Sequence, residues 1–242
     1  MSDEIRAFLL NFSFFSRINL YKGTDFQRLL PKSIKYIPLF SLISGTALFF
    51  CFKIFSLIIK EDIAVVLTLV IQYIIFNFFH FDGFLDTTDA FLSGKTKKEE
   101  ILKIMEDTHT GAFAVLFGSI YIFLKLFLYI NLVTDYPELL IFSFSLGRIC
   151  MVIFPSVFNR SAKDYGLGYT FISNVKKGFL TSAILLLIIS SIYFYQTILT
   201  LIVVFLFSIY FIKKVGGFTG DILGFICEIS ELLWLLTLYS WK

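Results

Sequence analysis

Apolar residues run through this chain in blocks of roughly a bilayer's width. The blocks cover residues 37–59, 63–81, 113–133, 139–158, 179–195, 197–212 and 222–240. Crossing ~30 Å of hydrocarbon takes ~20 helical residues, so each block approaches one span. The shorter pair, 179–195 and 197–212, reads as a tight hairpin. The pattern predicts an all-α polytopic helical membrane protein of about seven transmembrane helices, within a range of six to eight. Residues 1–242 then form a single integral-membrane domain. Residues 5–20 follow another pattern, because Arg6, Asn11, Ser13 and Arg17 interrupt the apolar runs. That suits a helix lying in the membrane surface, and residues 1–36 are expected to be interfacial. The opening MSDEIRAFLLNFSFF places acids before its first arginine and offers no small-residue cleavage site, so no cleaved leader is expected there.

The basic residues test the count of spans through the positive-inside rule. With the N-terminus cytoplasmic, sixteen of the 21 lysines and arginines fall in cytoplasmic intervals. Lys60 and Lys242 fall outside, and Lys53, Lys125 and Arg148 lie within blocks. The expected location is the cell membrane, with the polar segments 82–112, 159–177 and 213–221 all facing the cytoplasm. Lys53 and Lys125 are expected to snorkel towards the headgroups.

Composition sharpens the class. Hydrophobic residues make up 57% of the chain and charged residues 16%, with mean hydropathy +0.84. A soluble domain carries roughly a quarter charged residues. The net charge of +3 is small and points to no nucleic-acid partner. Cys51, Cys150 and Cys227 each sit in an apolar block with no C-x-x-C pair, so neither a disulfide framework nor a zinc site is expected.

Candidate chemistry concentrates in residues 80–112, which hold both histidines. Asp82, Asp86 and Asp89 stand at i, i+4 and i+7, one face of a helix. Three carboxylates on one face repel unless a cation sits among them, and a divalent metal with diphosphate oxygens beyond it relieves that repulsion. A solvated helix start accounts for Asp82 alone but not for the repeat, nor for the second acidic pair, Glu106 and Asp107. Lys95, behind Gly94, is a candidate phosphate contact as a point charge. His80, two residues before Asp82, points away from the triad by helical phase and is expected to pack on a neighbouring helix, with catalysis as the alternative. Gly111 and Gly118 suggest close helix packing. No G-x-x-x-x-G-K-[ST] is present, so any guanine nucleotide would not be held by a P-loop. Within the spans, Arg148, Glu228 and Glu231 each cost at least ~2.5 kcal/mol at mid-bilayer, so they face partners or a wet cavity. Arg148 could pair with either glutamate, or all three could contact substrate.

The strings HFDGFLDTTDAFLSGK and IMEDTHTGAFAVLFG resemble the signature region of the cobalamin (5′-phosphate) synthase, or adenosylcobinamide-GDP ribazoletransferase, family. GRIC…FNRSAKDYGLG is similar to that family's arginine-bearing span and Gly-x-Gly loop. GGFTGDILGFICEISELLWLL is similar to its C-terminal glycines, aspartate and two glutamates. The matched pieces, 77–118, 147–168 and 216–236, cover about half the chain in the family's order. The resemblance implies a Mg²⁺-dependent membrane transferase. It would join adenosylcobinamide-GDP to α-ribazole, or its 5′-phosphate, and release GMP. Asp82, Asp86, Asp89 and Asp107 would be its metal and catalytic residues, with Glu106 beside them. Lys95, Arg148, Arg160, Asp221, Glu228 and Glu231 would contact substrate. Self-association and docking of other corrinoid-pathway enzymes are compatible with it.

Other classes fit less of the chain. CDP-alcohol phosphatidyltransferases also carry helix-borne aspartates, but an Ala-Arg pair follows their Asp-Gly, where Leu85 and Asp86 depart from it. Membrane prenyltransferases use a second aspartate-rich cluster that is missing here. An ion-coupled transporter predicts midplane carboxylates and discontinuous spans in two related halves. No internal repeat is visible.

Overall fold

A computed structural model describes residues 2–241; Met1 and Lys242 lie outside the described residues. Every regular element among them is helical, and the one extended contact is an isolated bridge between Ser161 and Phe218. Six helices are long and apolar enough to cross a membrane: Phe26–Ser56, Ala112–Leu132, Leu139–Phe158, Gly166–Ile192, Phe194–Val215 and Gly220–Ser240. A bent pair, Glu61–Phe76 and Phe78–Leu92, makes a seventh if it is one passage. The chain is an all-α, multi-pass membrane protein.

The first helix, α1 (Asp3–Phe15), is started by Ser2, whose hydroxyl accepts the Ile5 N–H. It folds back on α2 (Phe26–Ser33) through exposed ion pairs. Arg28 and Lys32 reach Asp3 at 3.0 and 2.8 Å, and Lys35 reaches Glu4 at 2.6 Å. Such pairs are individually weak in water. The apolar side of α1 contributes more, with Ala7, Leu10, Phe12 and Phe15 buried. A short 3₁₀ turn then carries the chain into α3 (Ile37–Ser56).

The block 63–81 does not run as one straight helix. α4 (Glu61–Ile71) widens into a π-helical turn over Gln72–Phe76, closed by the Asn77 N–H donating to the Gln72 carbonyl at 2.9 Å. The next helix, α5 (Phe78–Leu92), leaves at 87°. Hydropathy averages over Gln72 and Asn77, but both side chains are fully buried and hydrogen-bonded. An isolated helix break in an apolar interior would strand polar groups, and these amide partners keep the break in place.

Past the bend, α5 leads through α6 (Lys98–Met105) to α7 (Ala112–Leu132) and α8 (Leu139–Phe158). After α9 (Gly166–Asn174), α10 (Phe179–Ile192) and α11 (Phe194–Val215), the chain ends in α12 (Gly220–Ser240). Helix α12 lies between α5 and α8. A Cβ at Gly83 would stand 2.8 Å from the Asp221 Cα, and one at Gly224 would stand 2.7 Å from the His80 carbonyl oxygen. The two backbones therefore touch where α5 carries its first aspartate and α12 begins. Thr219 caps α12 by accepting the Ile222 N–H at 3.1 Å, and Asp221 in the first turn suits the helix dipole. The loop after α8 is fastened to the same place, since Phe218 donates to the Arg160 carbonyl at 3.0 Å and Ala162 to the Phe218 carbonyl at 2.9 Å.

This approach gives a first test. Gly83→Ala forces a methyl group onto the Asp221 backbone and should cost about 1–3 kcal/mol, the range for overpacking. A lower apparent unfolding midpoint in detergent is the expected reading; an unchanged midpoint would show that α5 and α12 separate here without penalty.

Candidate active site

Where α5 meets the start of α12, the end of the bundle is hollowed into a cleft of about 350 Å³. Asp82 enters from α5, Asp221 from α12, and Lys163 from the loop after α8. Gly166, Leu167 and Gly168, in the first turn of α9, form its rim, and Phe14 and Phe15 of α1 form an aromatic wall. Helix positions dictate this meeting. Gly83 and Gly224 let two backbones touch, and the Ser161–Phe218 bridge brings the loop beside Asp221.

The expected acidic face is present as one helix, because α5 is continuous through Asp82, Asp86 and Asp89. The carboxylates close enough to repel Asp86 are those of Asp82, Asp221 and Asp89. Asp89 lies at the far end, its carboxylate filling the space a side chain on Gly111 would need. Gly111 precedes the first turn of α7, so the α7 dipole favours that anion. Among the described residues, no three His, Cys, Asp or Glu side chains are gathered closely enough to hold a metal ion by protein ligands alone.

The second acidic pair divides. Glu106 accepts from Lys163 Nζ at 2.7 Å and from the Tyr165 hydroxyl at 3.0 Å, which ties α6 to the cleft loop. The Lys163 and Tyr165 hydrogen bonds hold the Glu106 carboxyl below its usual pKa. Asp107, expected beside the metal, faces solvent and accepts from the His109 backbone N–H at 3.0 Å, with the His109 ring Nδ1 at 2.6 Å. Those two contacts lower its pKa in turn. Lys95 and Arg160 are exposed at the same end of the molecule, and neither lines the cleft.

His80 packs on a neighbouring helix as expected, against Phe15 of α1, but its place was not foreseen. Helical phase turns it from the triad, yet it lines the same cleft, because α1 and α12 close around the first turn of α5. Its ring is 95% buried, lies 5.7 Å from that of Phe15, and leaves Nε2 without a partner.

Arg148, Glu228 and Glu231 lie behind the cleft, fully buried, with Arg148 paired to Glu231 and Glu228 facing Lys125. Arg148 donates to Glu231, to the Phe144 carbonyl at 3.1 Å and to Asn77 Oδ1 at 2.5 Å. Glu228 accepts from Asn77 at 2.5 Å, Tyr121 at 2.6 Å and Tyr73 at 2.8 Å. The ammonium of Lys125 stands 2.6 Å from Glu231 Oε2 and 3.0 Å from the Tyr73 hydroxyl. Lys125 therefore does not snorkel; it is fully buried, and its length serves to reach α12. Two cations meet two anions here, and the amides and phenols satisfy the remaining oxygens, as a low-dielectric interior requires. Among the described residues, one pair of helices that together could span is bent by more than 40°.

Sequence reasoning missed Lys163 as a cleft residue, counting it only for topology. Its signal was present in its place within SAKDYGLG, before the Gly-x-Gly rim. It also overlooked Gln72 and Asn77, two amides in an apolar block.

Comparison with known proteins adds the family. Residues 7–239 match the family model described as Cobalamin-5-phosphate synthase. A Thermosipho africanus protein named adenosylcobinamide-GDP ribazoletransferase is 37% identical over 238 residues, covering 97% of this chain and 98% of its own. Proteins of the same name from Thermosipho melanesiensis and Clostridium botulinum are 36% and 30% identical, each covering at least 97% of this chain and 98% of its own. No solved structure matches.

Two measurements probe the site's supports. Lys125→Met removes one cation from the buried network and should cost about 3–5 kcal/mol, the range for breaking a buried pair. It would appear as a lower unfolding midpoint or loss of protein from the membrane. For the rim, folding lowers the Glu106 pKa, so the tie to Lys163 is present at neutral pH. It is lost as pH falls below the usual carboxylate range and through that lowered value. At pH 7, Glu106→Gln should speed acylation of Lys163 and amide exchange across residues 159–168. Unaltered rates would leave the Phe218 bridge as the loop's only restraint.

Proposed function

The chain belongs to the cobalamin-5-phosphate synthase family, and from that membership we infer that it joins adenosylcobinamide-GDP to α-ribazole or its 5′-phosphate. The acceptor hydroxyl attacks the phosphorus on the corrinoid side, a new P–O bond forms, the bond to the bridging oxygen breaks, GMP leaves, and the hydroxyl proton is released to solvent. The product is the completed nucleotide loop of a cobalamin or its phosphate. The observation that carries this reading is the meeting of Asp82, Asp221 and Lys163 in one cleft from three separate segments.

Each part of the cleft suits one demand of that displacement. Lys163 supplies a point charge for the diphosphate, and Asp221 is close enough to feel it. The first turn of α9, at Gly166 to Gly168, offers backbone N–H groups without helical partners, a natural seat for phosphate oxygens. Phe14, Phe15 and Phe171 exclude water that would hydrolyse the activated donor. Lys95 and Arg160, exposed at the same end, draw polyanionic substrate in.

The aspartates fit Mg²⁺, a hard ion that keeps several waters and takes one or two carboxylates together with substrate phosphates. Such a site requires no preformed cage of three protein ligands. Asp82, Asp86 and Asp89, with Asp221 opposite, are the residues that would hold it; Asp107, engaged with His109, is not drawn in. When bound, the ion neutralises charge on the transferring and leaving phosphate oxygens. The distribution of basic residues supports the reading that this end of the bundle faces the cytoplasm at the cell membrane.

The test is an assay of liposome-held protein with adenosylcobinamide-GDP, α-ribazole 5′-phosphate and Mg²⁺. GMP and a corrinoid bearing the lower nucleotide should appear together and disappear with EDTA. Asp82→Asn and Asp221→Asn should each lose about 10²–10³-fold in kcat, the scale for a removed group that stabilises developing charge. Full activity in both variants would sink this assignment of the site.

A further inference from the structure

We propose that Asn77 is a positioning residue. Held between Glu228 and Arg148, it sets the angle and register at which α5 presents its aspartates to Asp221. The proposal rests on the reading that the aspartates of α5 and Asp221 form the reaction site.

Two glutamates of α12 hold the break between α4 and α5 at both ends. At its start, Gln72 donates to Glu231 at 3.1 Å and accepts from the Tyr129 hydroxyl at 2.8 Å. At its end, Asn77 donates to Glu228 at 2.5 Å and accepts from Arg148 at 2.5 Å. Tyr73, between them, donates to Glu228 at 2.8 Å. The π-helical turn is thus fastened to one face of α12 at three points. A carboxamide is the group this place demands, because one end meets an anion and the other a cation.

The same helix carries Asp221, seven residues before Glu228, while Asp82 follows Asn77 by five residues. Fixing Asn77 on Glu228 therefore fixes which residues of α5 and α12 face one another. Between the bond and the aspartates, Gly224 touches the His80 carbonyl and Gly83 touches the Asp221 backbone. No slack is left for α5 to slide or tilt. Neither Glu228 nor Arg148 lines the cleft, so both act on the reaction through the helix.

Exchanging the amide and the carboxylate tests this directly. Asn77→Asp sets a second carboxylate against Glu228, and Glu228→Gln leaves the Asn77 amide facing another amide. The double variant restores one carboxylate, one amide and the contact with Arg148. Each single change should lower kcat about 100-fold, the scale of a displacement near 1 Å, with KM for both substrates within about threefold. The double variant should return to within about tenfold of the parent, a coupling that independent sites would not show. Amide exchange across Phe78–Leu92 should quicken in both single variants and slow again in the double. Should Asn77→Asp fail to accumulate, Asn77→Ser supplies a shorter arm, with the same loss of kcat at constant KM expected. Single variants with parental kcat, or a double variant no better than the worse single, would overturn the proposal while Asp82→Asn is inactive. If Asp82→Asn keeps full activity, the site assignment falls instead, and unchanged exchange in α5 would then refute the positioning role.

Discussion

Glu228 and Glu231, one turn apart on α12, must be neutralised where water does not reach, and the rest of the bundle is arranged around that demand. Removing an ion from water costs several kcal/mol, which only close pairing and full hydrogen bonding recover. Lys125 comes from α7, Arg148 from α8, and Gln72, Tyr73 and Asn77 from the turn between α4 and α5. Three stretches distant in sequence are thereby held against one helix. Dispersion and the scarcity of lipid-compatible alternatives complete the packing, but those forces are indifferent to register. The charges supply the register.

The cleft grows from this base. Beneath it, the carboxylates, amides and phenols are buried and satisfied. Above it, Asp82, Asp221 and Lys163 line the cleft and carry charges that protein partners only partly balance. Glycine contacts between α5 and α12 join the two levels, so geometry defined by buried bonds is delivered to exposed groups. Such a division suits a phosphoryl donor that must be kept from water yet admitted from it.

How much of this was legible in the sequence depends on distance along the chain. The face formed by Asp82, Asp86 and Asp89 is local, set by helix period, and α5 carries all three. The spans were legible from block length, apart from 63–81, where averaging hid Gln72 and Asn77. Lys125 illustrates the opposite case. Its partner lies on α12, 106 residues away, and nothing near Lys125 distinguishes a paired lysine from one that snorkels. Lys163 depends in the same way on the bridge from Ser161 to Phe218. His80 shows that helical phase predicts a direction but not what other helices place there.

The dependence of the buried network on α12 has a consequence for synthesis. Translation delivers α7 and α8 to the membrane well before α12 exists. Until α12 arrives, Lys125 and Arg148 are cations in hydrocarbon without their carboxylates, and the amides of the broken helix have no anchor. The nascent chain is therefore least at ease in the bilayer just before α12 enters it. Insertion of that one helix closes the charges, locks the bend and assembles the cleft together. A chain cut short before α12 leaves a product the membrane has reason to reject.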